Sequence, residues 1–159
     1  MPHRFTPVVA ELPSTVPFVG PEAQERARGR AFRARIGANE SPFGPSPEAV
    51  EAMAREAQAV WKYGDPENHD LKQALAAYHD VKPENVVVGE GIDGLFGYAV
   101  RMFVEPGVAV ATSLGAYPTF NFHVNGYGGR PVAAPYRDGR GDWPAGLGLA
   151  RKGGARPPF

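Results

Sequence analysis

The chain has 159 residues, with 17 basic and 17 acidic side chains and a formal net charge of zero. That balance argues against a protein built to neutralise nucleic-acid phosphates, and the absence of cysteine removes disulfides, zinc–thiolate sites and thiol nucleophiles. No apolar run approaches the roughly 18 residues of a membrane span, and the N-terminus lacks the charged-then-apolar layout of a secretory signal, so a cytoplasmic protein is expected.

Residues 1–37 carry prolines at positions 2, 7, 13, 17 and 21 and no sustained periodicity, and they read as an extended arm. Arg26, Arg28, Arg30, Arg33 and Arg35 form the one basic run, which reads as a solvated arm or edge strand rather than a polyanion site. Ser46 can cap a helix opened by Pro47, with Glu48 favourable in its first turn. Val50, Met53, Ala54, Ala57, Val60 and Trp61 line one face of that segment. A polar turn over residues 64–68 leads into a second helix through Leu71, Leu75 and Tyr78, which closes before Lys82-Pro83. Asp65, Glu67 and Asp70 surround His69, but the glycine of a calcium loop is missing, so a hydrated turn is expected there. His3, His69, His79 and His123 are scattered without metal-ligand spacing, and no metal site is expected.

The most informative stretch runs from Val86 to Tyr117. Val86, Val87 and Val88 predict a short buried strand, after which Gly89 and Gly91 let the backbone turn sharply and approach an anion. Asp93 is the expected N-cap of a helix whose apolar positions are Leu95, Phe96, Ala99, Val100 and Phe103. Gly94 and Gly97 weaken that helix by about 1 kcal/mol each relative to alanine. Glu105-Pro106-Gly107 stops it, and residues 108–112 predict a second strand. A helix that opens on a glycine turn directs free N–H groups and a partial positive charge outward, which suits a phosphate. Gly89-Glu90-Gly91-Ile92-Asp93-Gly94 also satisfies the dinucleotide fingerprint, and an NAD(P)-binding dehydrogenase domain is the alternative. That reading wants an acidic residue roughly 20 residues on, at the end of the next strand. Ala111-Thr112-Ser113 supplies none. A further helix over residues 118–125, ending at Gly126, and a strand over residues 130–136 complete an alternation that predicts a parallel α/β sheet.

Residue by residue, this block resembles the cofactor-phosphate segment of the fold-type-I pyridoxal-phosphate-dependent aminotransferases, class I/II, in the branch containing histidinol-phosphate aminotransferase. Gly91-Ile92-Asp93 matches the triplet that offers backbone amides to the phosphate, and Glu105-Pro106-Gly107 falls where the family's helix ends. Tyr117, in Ser-Leu-Gly-Ala-Tyr-Pro-Thr-Phe, occupies the place of a tyrosine that stacks on the pyridine ring. Upstream, the segment beginning Ala38-Asn39-Glu40-Ser41-Pro42 is similar to the family's N-terminal Asn-Glu-Asn-Pro signature, which implies Asn39 and Glu40 at the substrate. Trp61-Lys62-Tyr63-Gly64-Asp65 is similar to the family's Tyr-Pro segment, whose tyrosine reaches the cofactor phosphate of the neighbouring subunit, and so implies Tyr63 in that role. The resemblance covers about residues 36–136. It implies a partial three-layer α/β/α transferase domain with an extended N-terminal arm, pyridoxal 5'-phosphate as cofactor, a homodimer, and transfer of an amino group between an amino acid or amino-alcohol phosphate and a 2-oxo acid. The division implied is an arm over 1–37, the front part of the transferase domain over 38–136, and a tail over 137–159.

The tail and the lysines depart from that pattern. Nine of the last 22 residues are glycine or proline, and Gly146, Gly148, Gly153 and Gly154 would disfavour the helix the family has there. A truncated or damaged gene product is expected, with a non-catalytic remnant as the limiting case. Transamination also needs a lysine to form the Schiff base with the cofactor. Lys62, Lys72, Lys82 and Lys152 all lack the Ser-x-x-Lys setting in which the family carries it. The chain is therefore not expected to catalyse the reaction alone.

Overall fold

The computed structural model describes residues 4–13, 18–37 and 40–152; His3, Asn39, Gly153 and Gly154 lie outside them. In chain order the elements are α1 (Pro7–Ala10), α2 (Pro21–Arg28), α3 (Pro47–Glu56), α4 (His69–His79), α5 (Gly91–Phe103), β1 (Ala109–Ser113), α6 (Pro118–Gly126), β2 (Arg130–Ala134), β3 (Tyr136–Arg137), β4 (Arg140–Gly141) and α7 (Trp143–Lys152). They fall into two compact units, Gly20–Val88 and a second made of Met1–Val19 with Gly89–Phe159.

The first unit is helical and is set by local signals. In α3, Ser46 Oγ accepts from the Ala49 amide at 3.2 Å and Pro47 takes the first helical position. The chain enters α4 through Asp65, whose carboxylate accepts from the amides of Glu67 at 3.0 Å and His69 at 2.8 Å. Those two amides, in that order of His69 then Glu67, hold the Asp65 carboxyl below its usual range. The acidic group around His69 is thus a hydrogen-bonded turn. The arm differs from the extended reading in carrying two short helices. Thr6 caps α1 ahead of Pro7, and α2 starts at Pro21 with Glu22 in its first turn and stops at Gly29, whose φ is +68°. The apolar face predicted on α3 and beyond is exposed: Met53 is 60% and Val60 and Trp61 are each 79% accessible. Among the described residues of this unit, Ala76 is the one buried apolar side chain.

The second unit holds the sheet and the core. Strands β1 and β2 pair in parallel, from Ala109 opposite Arg130 to Ser113 opposite Ala134, with α6 as the crossover. Val100 of α5, Ala109 of β1, Val124 of α6 and Ala134 of β2 are buried together in this layer arrangement. Helix α6 packs on α5 and β2, and α7 packs on both strands. Gly97 brings α5 close to α6, because a Cβ there would already touch the His123 ring at 3.4 Å.

Three sequence expectations change here. Residues 86–88 form no strand: Val87 is 65% exposed, and no described strand lies beside them to take their hydrogen bonds. The strand predicted over residues 130–136 ends at Ala134, since Pro135 has no N–H to continue the ladder. A hairpin follows, in which Asp138 (φ 51°) and Gly139 (φ 74°) turn β3 back onto β4. Residues 143–152, expected to be disfavoured as helix, form α7. Asp142 Oδ1 accepts from the Ala145 amide at 3.2 Å, and Pro144 sits in the first turn. Gly146 is required there, because a Cβ would lie 2.5 Å from Ala134 Cβ. The helix is docked where glycine lets it approach the strand, and that packing offsets the propensity cost of about 1 kcal/mol.

Candidate functional site

Gly91 opens α5 in the left-handed region at φ +68°, with no atom within 4 Å of where a Cβ would stand. Its amide bonds back to the Gly89 carbonyl at 2.8 Å, closing a tight turn. The next amides, those of Ile92 and Asp93, have no carbonyl four residues back inside the helix to accept them. They carry the positive end of a 13-residue helix dipole. The N-cap is Glu90, not Asp93 as the sequence reading had it; Asp93 is the third helical residue. The φ > 0 turn at Gly91 starts the helix three residues earlier than a capping aspartate at position 93 would.

Neither acidic side chain at this helix start bonds to its own amides. Glu90 makes no capping bond, and its Oε2 instead accepts from the Tyr98 hydroxyl at 3.1 Å. That bond and the carboxylate charge push the Tyr98 phenol above its usual range. Asp93 Oδ1 accepts from the Thr119 hydroxyl at 2.6 Å, across 26 residues of sequence. Among the described residues no side chain accepts from the amides of Ile92 and Asp93.

An aromatic wall stands beside this turn. The Phe96 ring, one turn into α5, lies 6.1 Å from Tyr117 in a tilted contact and 5.3 Å from Phe120 edge-on. Tyr117 is the residue before α6 and is 44% exposed, so its ring keeps an open side. Gly91, Ile92, Asp93 and Tyr117 are thus brought together by α5 and the start of α6. Tyr63, fully exposed, and Glu40, also exposed, belong to the helical unit, and Asn39 lies outside the described residues. Sequence reasoning did not single out Thr119, Phe120 or the Glu90–Tyr98 pair. Pro118-Thr119 at a helix start was a visible signal for the first of these; the others are contacts between elements that no local pattern records.

No family model matches the chain. Two curated relatives are similar to it over most of its length. The histidinol-phosphate aminotransferase of Moorella thermoacetica is 32% identical over 121 residues, which are 76% of this chain and 31% of that protein. The one from an Anaeromyxobacter species is 39% identical over 132 residues, 82% of this chain and 36% of that protein. Among solved structures, histidinol-phosphate aminotransferase from Sinorhizobium meliloti, in complex with pyridoxal 5'-phosphate, superimposes with a TM-score of 0.85 at 55% identity. That match covers 96% of this chain and 40% of the S. meliloti chain. The chain spans about a third of the length of these curated relatives.

The fold is accordingly a partial α/β/α domain of the pyridoxal-phosphate-dependent transferases. Within that class the chain belongs to the fold-type-I aminotransferases, in the branch of the histidinol-phosphate aminotransferases. Among the described residues no helix is long and apolar enough to cross a membrane.

Proposed function

We propose that the chain is the cofactor-phosphate portion of an aminotransferase that moves an amino group between an amino acid, or an amino-alcohol phosphate, and a 2-oxo acid. The observation that carries this reading is the open helix start at Gly91 beside Tyr117, in a chain 55% identical to an aminotransferase solved with pyridoxal 5'-phosphate. The residues present fit the cofactor's phosphate: space around Gly91, unclaimed amides at Ile92 and Asp93, and both neighbouring carboxylates bonded elsewhere. Bound there, pyridoxal phosphate supplies the electron sink for amino-group transfer. In this reading the Ile92 and Asp93 amides hold the phosphate, and Tyr117 lays its ring on the pyridine. Tyr63 serves the neighbouring subunit's cofactor in a homodimer, and Asn39 and Glu40 lie at the substrate. The lysine that chemistry needs is not among Lys62, Lys72, Lys82 and Lys152, so catalysis requires one from outside these 159 residues.

The test is binding of pyridoxamine phosphate, which lacks the aldehyde that would react with surface lysines, followed through amide resonances of the 15N-labelled chain. Ring stacking contributes about 0.5–1.5 kcal/mol beyond burial, so Tyr117→Ala should weaken binding several-fold. Gly91→Val should weaken it more, since a β-branched residue at positive φ distorts the turn. Unchanged affinity in Tyr117→Ala removes that ring from the site, and normal binding by Gly91→Val misplaces the phosphate loop. Binding of NADH in place of pyridoxamine phosphate would turn the assignment to the dinucleotide fingerprint.

A further inference from the structure

Two carboxylates flank the first turn of α5, and neither occupies it. Asp93 is the more telling. An acidic side chain at the third helical position can reach back to the N–H of the N-cap residue, here Glu90, at the mouth of the same turn. A carboxylate resting there would set its negative charge against a phosphate held by the neighbouring Ile92 and Asp93 amides. In this chain Asp93 Oδ1 is bonded instead to the Thr119 hydroxyl at 2.6 Å, and Thr119 is 5% exposed, so the donor end of this half-buried bond is shielded from water. The new position also suits a negative charge. Thr119 is in the first turn of α6, whose dipole is positive at that end. The two helices also meet through Phe96 on Phe120 and Gly97 on His123. The hydroxyl is therefore not the sole tie between them.

We propose that Thr119 is a positioning residue that holds the Asp93 carboxylate aside and so keeps the Ile92 and Asp93 amides open to the cofactor's phosphate. This rests on the cofactor reading of the preceding subsection. Glu90, tied to Tyr98 on the other flank, is held aside in the same manner at a more exposed place. Thr119 thus decides how well the site discriminates a phosphorylated ligand from its phosphate-free form.

The experiment titrates the 15N-labelled 159-residue chain with pyridoxamine phosphate, pyridoxamine and inorganic phosphate, reading the Ile92 and Asp93 amide resonances. Both phosphate probes are expected to shift them in the unsubstituted chain. If neither does, the phosphate site falls and the role of Thr119 with it, an outcome distinct from those that follow. Thr119→Val, close in shape but without the hydroxyl, should bind both phosphate probes about tenfold more weakly, the usual weight of a hydrogen bond to a charged group. Pyridoxamine binding should stay the same, and Thr119→Ser should restore the phosphate preference. Adding Asp93→Ala to Thr119→Val should recover most of the lost affinity, since no carboxylate then remains to be held aside. A tie that mattered only for structure would be broken in both variants alike, so absence of recovery overturns the proposal. Should Thr119→Val fail to fold, Asp93→Ala alone decides. It should bind inorganic phosphate more tightly than the unsubstituted chain, and equal or weaker binding overturns the proposal.

Discussion

The helical unit over Gly20–Val88 and the sheet unit, which joins Met1–Val19 to the chain from Gly89 onward, are held by different forces. In the helical unit the caps and turns are complete, while Ala76 is its one buried apolar residue among those described. In the sheet unit Val100, Ala109, Val124 and Ala134 close a small core around a parallel strand pair, and the candidate phosphate turn is mounted on it. Local hydrogen bonds can draw helix boundaries without a core, but they leave an amphipathic face such as Met53, Val60 and Trp61 in solvent. A site that must hold an anion at fixed geometry needs the second kind of support, and the turn proposed for that role belongs to the unit with the core.

The sharpest way to break this contrast is to disturb the packing of α7 on β2. Gly146→Val places a branched side chain where even a Cβ is 2.5 Å from Ala134 Cβ. Overpacking of that kind costs about 1–3 kcal/mol, and more if α7 leaves the sheet. Urea denaturation followed by hydrogen exchange should show amides of β1 and β2 losing protection, with those of α3 and α4 unaffected. Equal loss in both units would mean that they unfold as one, and no loss would mean that α7 is not docked as described. A smaller effect is expected in the other unit. Ser46→Ala removes the bond to the Ala49 amide and should lower the stability of α3 by about 1 kcal/mol. Exchange of the α3 amides should rise alone. If protection of the β1 amides fell as well, the local character of the helical unit would be refuted.

The sequence was most readable where structure depends on neighbours in the chain. Ser46-Pro47, the stop at residues 105–107 and the helix from Pro118 to Gly126 all stand where their residue types place them. The turn expected at Gly91 is present at φ +68°, and Tyr117 lies against Phe96 of the helix that the turn opens. What was lost depends on distant partners. The penalty for glycine in α7 was real, but Gly146 is there to meet Ala134, twelve residues back and on another element. Three valines at residues 86–88 have the composition of a strand and no described strand to pair with. The helix start was put at Asp93 because aspartate is a common cap, whereas its carboxylate answers to Thr119, 26 residues on. In each case residue type alone misjudged a segment whose state depends on partners far along the chain.

The smallest of these effects concerns the segment that follows α2, where the helical unit ties its chain back with charge instead of a core. Arg35 places one guanidinium nitrogen 2.8 Å from Glu22 and the other 2.8 Å from Glu25, and the free oxygen of Glu25 accepts from the Phe32 amide at 2.8 Å. Arg28 lies 4.3 Å over the Phe32 ring. From the basic run, Arg35 thus turns onto two glutamates and Arg28 onto an aromatic ring, in a solvated surface cluster. The Glu22 carboxyl is held below its usual value by its own backbone N–H and then by Arg35; that of Glu25 is held down by the Phe32 amide and then by Arg35. Carboxyls depressed in the folded chain stabilise it at pH values above their ordinary 4.5, and that contribution fades as pH falls below it. Exposed pairs of this sort are individually weak, so the loss should be local, with Phe32 released while α3 and α4 persist. The Phe32 amide resonance should hold steady from neutral pH down to the ordinary glutamate value and move only below it. Glu25→Gln, which keeps an acceptor but no charge, should flatten that movement. An inflection above 4.5 would show that the two glutamates are not held by Arg35, and would leave the arm without the tie described for it.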